Sequence, residues 1–222
     1  MQQIPSWYFD SIQSGGTFST RASLEDKVDR SGNLKPFYGE SAVFLLPEEL
    51  RCALAQVQEE LYAAAGGMLM KKPLSQDNLH MTLHDLWNVS DGERCASPPY
   101  EAEEVCRIIE GIRKDFPERI MMRAIVPMNM VNTSVVMGLM PASEPDAWCL
   151  AEMHKRFSVL YPRTYGLTPH ITLAYYCPGE YGEEIWKGLK DAFTVKGYAF
   201  PLYTRDLLFV RFKDMDDYET IY

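Results

Sequence analysis

Apolar and polar positions divide the chain into short strands of period two and helices of period 3.6. Ser41–Leu46 is a short apolar run and reads as a buried strand. Pro47-Glu48-Glu49 then opens a helix, because proline suits a first turn and acids suit its positive end. The pattern carries that helix to about Ala65, where Gly66-Gly67 stops it. Leu79–Leu86 reads as a strand, and Trp87–Pro99 as a polar loop. A second helix is predicted over Tyr100–Phe116, with Val105, Ile108, Ile109, Ile112 and Phe116 in one stripe. Ile120–Pro127 and Ser134–Met140 follow as a hairpin. Ser143 caps a third helix ending near Leu160. Pro169–Tyr176 reads as a strand, Glu183–Phe193 as a short helix and Asp206–Phe212 as a last strand. Residues 1–40 lack a clear period. Turn chemistry at Ser11–Gly16 and Asp29–Asn33 makes them an irregular N-terminal arm ahead of a domain over 41–222.

Within that domain the order strand–helix–loop–strand occurs twice, about 41–86 and 134–176. Ser41-Ala-Val-Phe-Leu-Leu-Pro47 echoes Ser134-Val-Val-Met-Gly-Leu-Met-Pro141, and each precedes an acid-started helix. Leu46 lies 34 positions before His80, and Met140 lies 30 before His170. One unit cannot bury its apolar face alone, so the copies are expected to pack as one pseudo-symmetric body.

Both copies end in the same chemistry, Leu79-His80-Met81-Thr82-Leu83 and Pro169-His170-Ile171-Thr172-Leu173. On a strand, i and i+2 share a face. His80 and Thr82 therefore face one way and Leu79, Met81 and Leu83 the other; His170 and Thr172 oppose Ile171 and Leu173. Two imidazoles and two hydroxyls are costly unpaired in a core, so their side is expected to face a cleft. The set suits metal-free cleavage of a phosphodiester. A neutral imidazole accepts a proton from the attacking oxygen, an imidazolium gives one to the leaving oxygen, and hydroxyls donate to the non-bridging oxygens.

Strict alternation adds His84 to the His80 face and Tyr176 to the His170 face. His84 reads either as a group orienting substrate or His80, or as an ordinary edge histidine. Tyr176 reads either as a stacking surface for a base or as part of a packed sheet edge. Arg163, in the loop before His170, and Lys71-Lys72, in the loop before His80, are candidate ligands of a terminal phosphate. His154 reads as an ordinary helix residue. His80 and His84 lack a third ligand at metal spacing, so no metal is expected, and no cofactor motif is present.

Composition narrows the partners. The 31 acidic and 22 basic residues leave a formal charge of −9, which argues against coating nucleic acid by charge alone. Five scattered cysteines with no C-x-x-C suggest neither a zinc ribbon nor a disulfide framework. No apolar run is long enough to span a bilayer, and Met1–Trp7 shows no secretory pattern. A cytoplasmic protein without a membrane partner is expected, and a monomer is favoured.

The paired motifs resemble those of the two-histidine (2H) phosphoesterase superfamily, which includes bacterial 2′,5′ RNA ligase-like proteins and cyclic nucleotide phosphodiesterases. The likeness runs from about Ser41 to Phe212. Gly32–Gly39 is similar to the opening segment of one little-characterised branch, leaving the arm as a lid or as packing. The resemblance implies an α+β, pseudo-symmetric bilobal fold, with two antiparallel sheets flanking a groove and helices outside. It implies that His80 and His170 are catalytic and that Thr82 and Thr172 bind phosphate. The expected substrate is a 2′,3′-cyclic phosphate or a 2′,5′-phosphodiester on a nucleotide or RNA end. A non-catalytic nucleotide- or RNA-binding module, or a 2′,5′-type RNA ligase, is the alternative.

Overall fold

A computed structural model describes residues 12–13, 17–92, 96–182 and 198–222. The helix expected over Glu183–Phe193 and most of the Ser11–Gly16 turn lie outside these residues.

The strands are β1 Ile12–Gln13, β2 Phe18–Ser19, β3 Gly39–Leu45, β4 His80–Asn88, β5 Arg119–Met130, β6 Ser134–Pro141, β7 His170–Tyr175, β8 Glu180–Tyr181, β9 Ala199–Tyr203, β10 Leu207–Asp214 and β11 Asp217–Thr220. Three α-helices are described, α1 Glu48–Ala65, α2 Ala102–Asp115 and α3 Glu144–Leu160. The repeat-bearing strands and helices fall within two or three residues of their sequence-based bounds, except that β5 runs on to Met130. Strands β9 and β11 were not expected. The first carries a central proline, and the second, Asp-Tyr-Glu-Thr, is polar at three of four positions.

The α+β fold is built from two antiparallel lobes. One runs β4-β3-β10-β11; the other runs β7-β6-β5, with β1 and β9 on the free edge of β5. The lobes join where β4 meets β7, through the pair Met81↔Ile171, so the nine strands form one curled sheet. Strands β2 and β8 form a separate two-stranded sheet. Each repeat's helix reaches the other lobe: α1, which follows β3, touches β7, and α3, which follows β6, packs on β4 as well as on β5 and β6 of its own lobe. The crossing is why a single apolar core contains side chains of both repeats, among them Leu54, Leu61, Met81, Leu139, Phe157 and Ile171. The Ser143 hydroxyl accepts from the Asp146 amide at the start of α3, as its position before the helix suggested.

Both inner strands carry a β-bulge at the same place. Along β3, Ala42 and Val43 are adjacent, but their partners on β4 are His84 and Thr82. Along β6, Val135 and Val136 are adjacent, but their partners on β7 are Ala174 and Thr172. One extra residue is therefore inserted in each inner strand just after the His-x-Thr segment, which shifts the facing of the residues next along it; β4 carries a second irregularity between Asp85 and Asn88.

The described part of the arm is folded onto this frame. Val28 bridges Leu34, Leu24 and Val28 are fully buried, and the Phe37 amide donates to the Lys213 carbonyl. The arm enters β3 at Gly39, where an added Cβ would stand 2.3 Å from Phe212 Cζ and 2.7 Å from the Asn88 Cβ. Among the described residues, no helix is long and apolar enough to cross a membrane.

Gly39→Ala is expected to cost about 1–3 kcal/mol, because Phe212 must leave its place beside Phe37. A urea midpoint that falls at unchanged slope is the expected readout; an unchanged midpoint would show that Phe212 yields freely.

Candidate functional site

The groove face of β4 and β7 is set by the pair that joins them. Met81 and Ile171 are fully buried in the core, so their neighbours along each strand turn the other way. Antiparallel register then sets His80 opposite Thr172 and Thr82 opposite His170. All four are half-buried on that face, and the two motifs are related by a pseudo-twofold axis at the joining pair.

Each imidazole is oriented by the same contact. His80 Nδ1 lies 2.6 Å from the carbonyl oxygen of Asn78, and His170 Nδ1 lies 2.6 Å from that of Thr168. A carbonyl only accepts, so Nδ1 carries the hydrogen in both rings and Nε2 is left to work in the groove. Burial holds the pKa of both histidines below the ordinary 6.5; the two carbonyls act in the opposite sense. The nearby His170 lowers His80 further, and the Lys27 cation lowers His170. A proton on His170 therefore opposes a proton on His80.

The bulges overturn two expectations from strict alternation. His84 does not share the face of His80 and Thr82. It is 2% exposed and turns into the core, its ring 4.9 Å from that of His154 and 5.9 Å from that of Phe157, both on α3. Tyr176 does not share the face of His170; it is fully buried beside Phe18 and Tyr181. Asp85 and Tyr175 occupy the positions next along the groove, and sequence reading missed both. The signal that could have found them is the Leu83-His84 and Leu173-Ala174 step, at which two consecutive residues face inward.

Around the histidines, the Tyr165 hydroxyl donates to Asp85 Oδ2 at 2.9 Å. Tyr218 from β11 meets the edge of the His80 ring at 5.0 Å between centroids. Tyr175 is hydrogen-bonded with Thr172, and its pKa is raised by burial and then by Asp85. Lys27, from the arm, stands 4.8 Å from the centroid of Phe37 and 5.9 Å from that of Tyr175. Its pKa is lowered by burial and held up by Asp85 and Asp26.

Arg163 is also redirected from its expected role as a phosphate ligand. Its side chain is 8% exposed and pairs with Asp91 at 2.7 Å, while Nε donates to the Asp85 carbonyl and Nη2 to that of Leu86. These bonds tie the loop before β7 to the end of β4. Lys71 and Lys72 remain exposed, and Lys71 lines a separate cleft with Arg30, Tyr62 and Cys177. Among the described residues, no three His, Cys, Asp or Glu side chains cluster as a metal ion would require.

No protein-family model matches the chain, and no curated protein matches it. Solved structures do. A conserved protein of unknown function from Agrobacterium tumefaciens aligns with TM-score 0.61 at 17% identity, over 92% of this chain and 93% of that one. TT0787 of Thermus thermophilus aligns with TM-score 0.54 at 17% identity, over 83% and 95%. E. coli LigT in complex with phosphate aligns with TM-score 0.51 at 15% identity, over 85% and 96%. LigT is also solved with 3′-AMP, a structure that aligns with TM-score 0.50 at 12% identity over 85% and 96%. At these identities the likeness establishes the fold, and it is the fold implied by the resemblance of the paired motifs to the two-histidine superfamily.

The buried His84 ring has no well-formed hydrogen bond at either nitrogen, and burial lowers its pKa to about 4. Between pH 6.5 and 4 the unfolded chain takes up a proton there that the folded chain refuses, so stability falls as pH falls. Over that window the loss assigned to His84 is roughly 3 kcal/mol. His84→Leu is expected to shrink the acid-induced loss by about that amount in urea melts at pH 7 and pH 4.5. An unchanged pH dependence would rule out His84 as its source.

Proposed function

We propose that this protein is a metal-independent phosphoesterase that opens a 2′,3′-cyclic phosphate or a 2′,5′-phosphodiester on a nucleotide or an RNA end. The observation that carries the reading is the matched pair of Nδ1 contacts. Both rings present Nε2 from strands in direct register, with a threonine hydroxyl opposite each. That pattern suits an in-line displacement, which needs one proton acceptor and one proton donor on opposite sides of phosphorus. LigT, which shares the fold, is solved with phosphate and with 3′-AMP, and this supports a phosphate-bearing nucleotide as the ligand class.

In the hydrolytic sense, one neutral imidazole takes a proton from water as its oxygen bonds to phosphorus. The bond from phosphorus to the 2′ or 3′ oxygen breaks, and the other imidazole, entering as the cation, protonates that oxygen. The product is a phosphomonoester, and the pair has exchanged its proton between rings. Thr82 and Thr172 donate to the non-bridging oxygens as charge grows on them.

His80→Ala and His170→Ala are each expected to lower kcat by about 10²–10⁴-fold on a 2′,3′-cyclic nucleotide, with melting behaviour unchanged. Wild-type turnover is expected to survive EDTA. Full turnover in either variant removes the assignment; tight nucleotide binding without wild-type turnover would point instead to a binding module.

The working form of the free enzyme holds one proton on the pair. Burial lowers both pKa values, so kcat/KM against pH is expected to be bell-shaped, with its maximum on the acid side of the ordinary imidazole value of 6.5. A profile still rising above neutrality would exclude these two rings as the acid and base.

A further inference from the structure

One imidazolium, one neutral imidazole and two hydroxyls carry a single positive charge, yet a phosphodiester brings one negative charge to the groove and its pentacoordinate intermediate brings more. Asp85 on the same face adds another. The histidines cannot both supply the balance, because one must be neutral to act as base and burial disfavours the cation on each.

A cation is held there by the arm. Lys27 follows the short turn Ala22–Asp26, with its amide donating to the Leu24 carbonyl and its own carbonyl accepting from the Lys35 amide. Leu24 and Val28 on either side are fully buried. Asp29 accepts from the Ser31 and Asn33 amides, and the Gly32 carbonyl accepts from the Lys71 amide, so this turn is anchored from both directions. The backbone of Lys27 is thus fixed while its ammonium reaches over Phe37 toward Tyr175, near enough to His170 and Asp85 to act on both electrostatically.

The ammonium is under-used where it stands. Among the described residues, no carboxylate lies within ion-pairing distance of Nζ, and no side-chain hydrogen bond from it is formed. Ring faces supply about 0.5–2 kcal/mol of attraction, but they do not replace the oxygen acceptors that three N–H donors require. A half-buried ammonium beside Tyr175 in this state is built to receive an anion.

We propose that Lys27 is a phosphate-binding residue of the groove, a cation delivered by the N-terminal arm to the non-bridging oxygens of a phosphoester held between His80 and His170. The inference rests on the reading of this groove as a phosphoester site. It makes the arm part of that site, and it makes the two ends of the groove unequal, since Lys27 stands on the His170 side.

The test is the affinity of the full chain for inorganic phosphate, measured by calorimetry at pH 6, in wild type, Lys27→Gln and Lys27→Arg. Lys27→Gln is expected to bind phosphate at least about ten-fold more weakly with its melting temperature unchanged, and Lys27→Arg to recover most of the loss. A Kd for Lys27→Gln within two-fold of wild type overturns the proposal. If Lys27→Gln fails to fold, the decision passes to wild type. There, phosphate is expected to slow acylation of Lys27 several-fold, read by peptide mass, and no protection overturns the proposal. The two readings separate cleanly. Loss of turnover in the histidine variants with normal phosphate affinity in Lys27→Gln keeps the phosphoesterase and removes Lys27. Lysine-dependent phosphate binding without turnover of cyclic substrates keeps Lys27 and removes the phosphoesterase.

Discussion

The pair Met81 against Ile171 fixes the geometry of the groove. Both side chains belong to the core, and β4 and β7 meet at this pair before their partners β3 and β6 draw them into separate lobes. A slip of one residue at this joint would turn every side chain of that strand to the opposite face. Burial of two apolar residues thus specifies the position of four polar ones. The cost of leaving Met81 or Ile171 in water is what holds His80 and His170 across from each other's threonines.

The helices of both repeats reach across that joint. Helix α1 leaves the first lobe and packs on β7, and from it Gln58 donates to the Leu173 carbonyl, at the bulge, at 2.9 Å. Helix α3 spans from β5 and β6 of the second lobe onto β4, where His154 meets His84 at the equivalent bulge. A bulge frees backbone groups from the ladder, and a buried free carbonyl needs a donor. Gln58 meets that need on one side. The other bulge receives an imidazole whose nitrogens are left without good partners, so the pseudo-symmetry ends at the second layer around the site.

How far the sequence could be read follows from the same feature. Period-two alternation placed His80, Thr82, His170 and Thr172 on one face because nothing interrupts either strand between the histidine and the threonine. It misplaced His84 and Tyr176 because a bulge leaves only a faint mark in hydrophobic periodicity: the Leu83-His84 and Leu173-Ala174 steps pass for ordinary alternation with one odd residue. The helices were legible because their ends carry caps, acids and glycines. Strands β9 and β11 were not, because a strand held by its neighbour's backbone needs little apolar character of its own. Lys27 lay beyond any local pattern, since it enters the groove through a turn whose contacts, such as Lys71 with Gly32, join distant parts of the chain.

Electrostatics completes what register begins. Two identical imidazoles, each tied by Nδ1 to the carbonyl two residues earlier, would be interchangeable as acid and base in a symmetric field. The field is not symmetric. Lys27 acts against a proton on His170, while Tyr218 from β11 stands against the His80 ring. Asp85 opposes the lowering that burial imposes on both rings. The repeat supplies the two groups, and the unrepeated arm and terminal hairpin give them different surroundings.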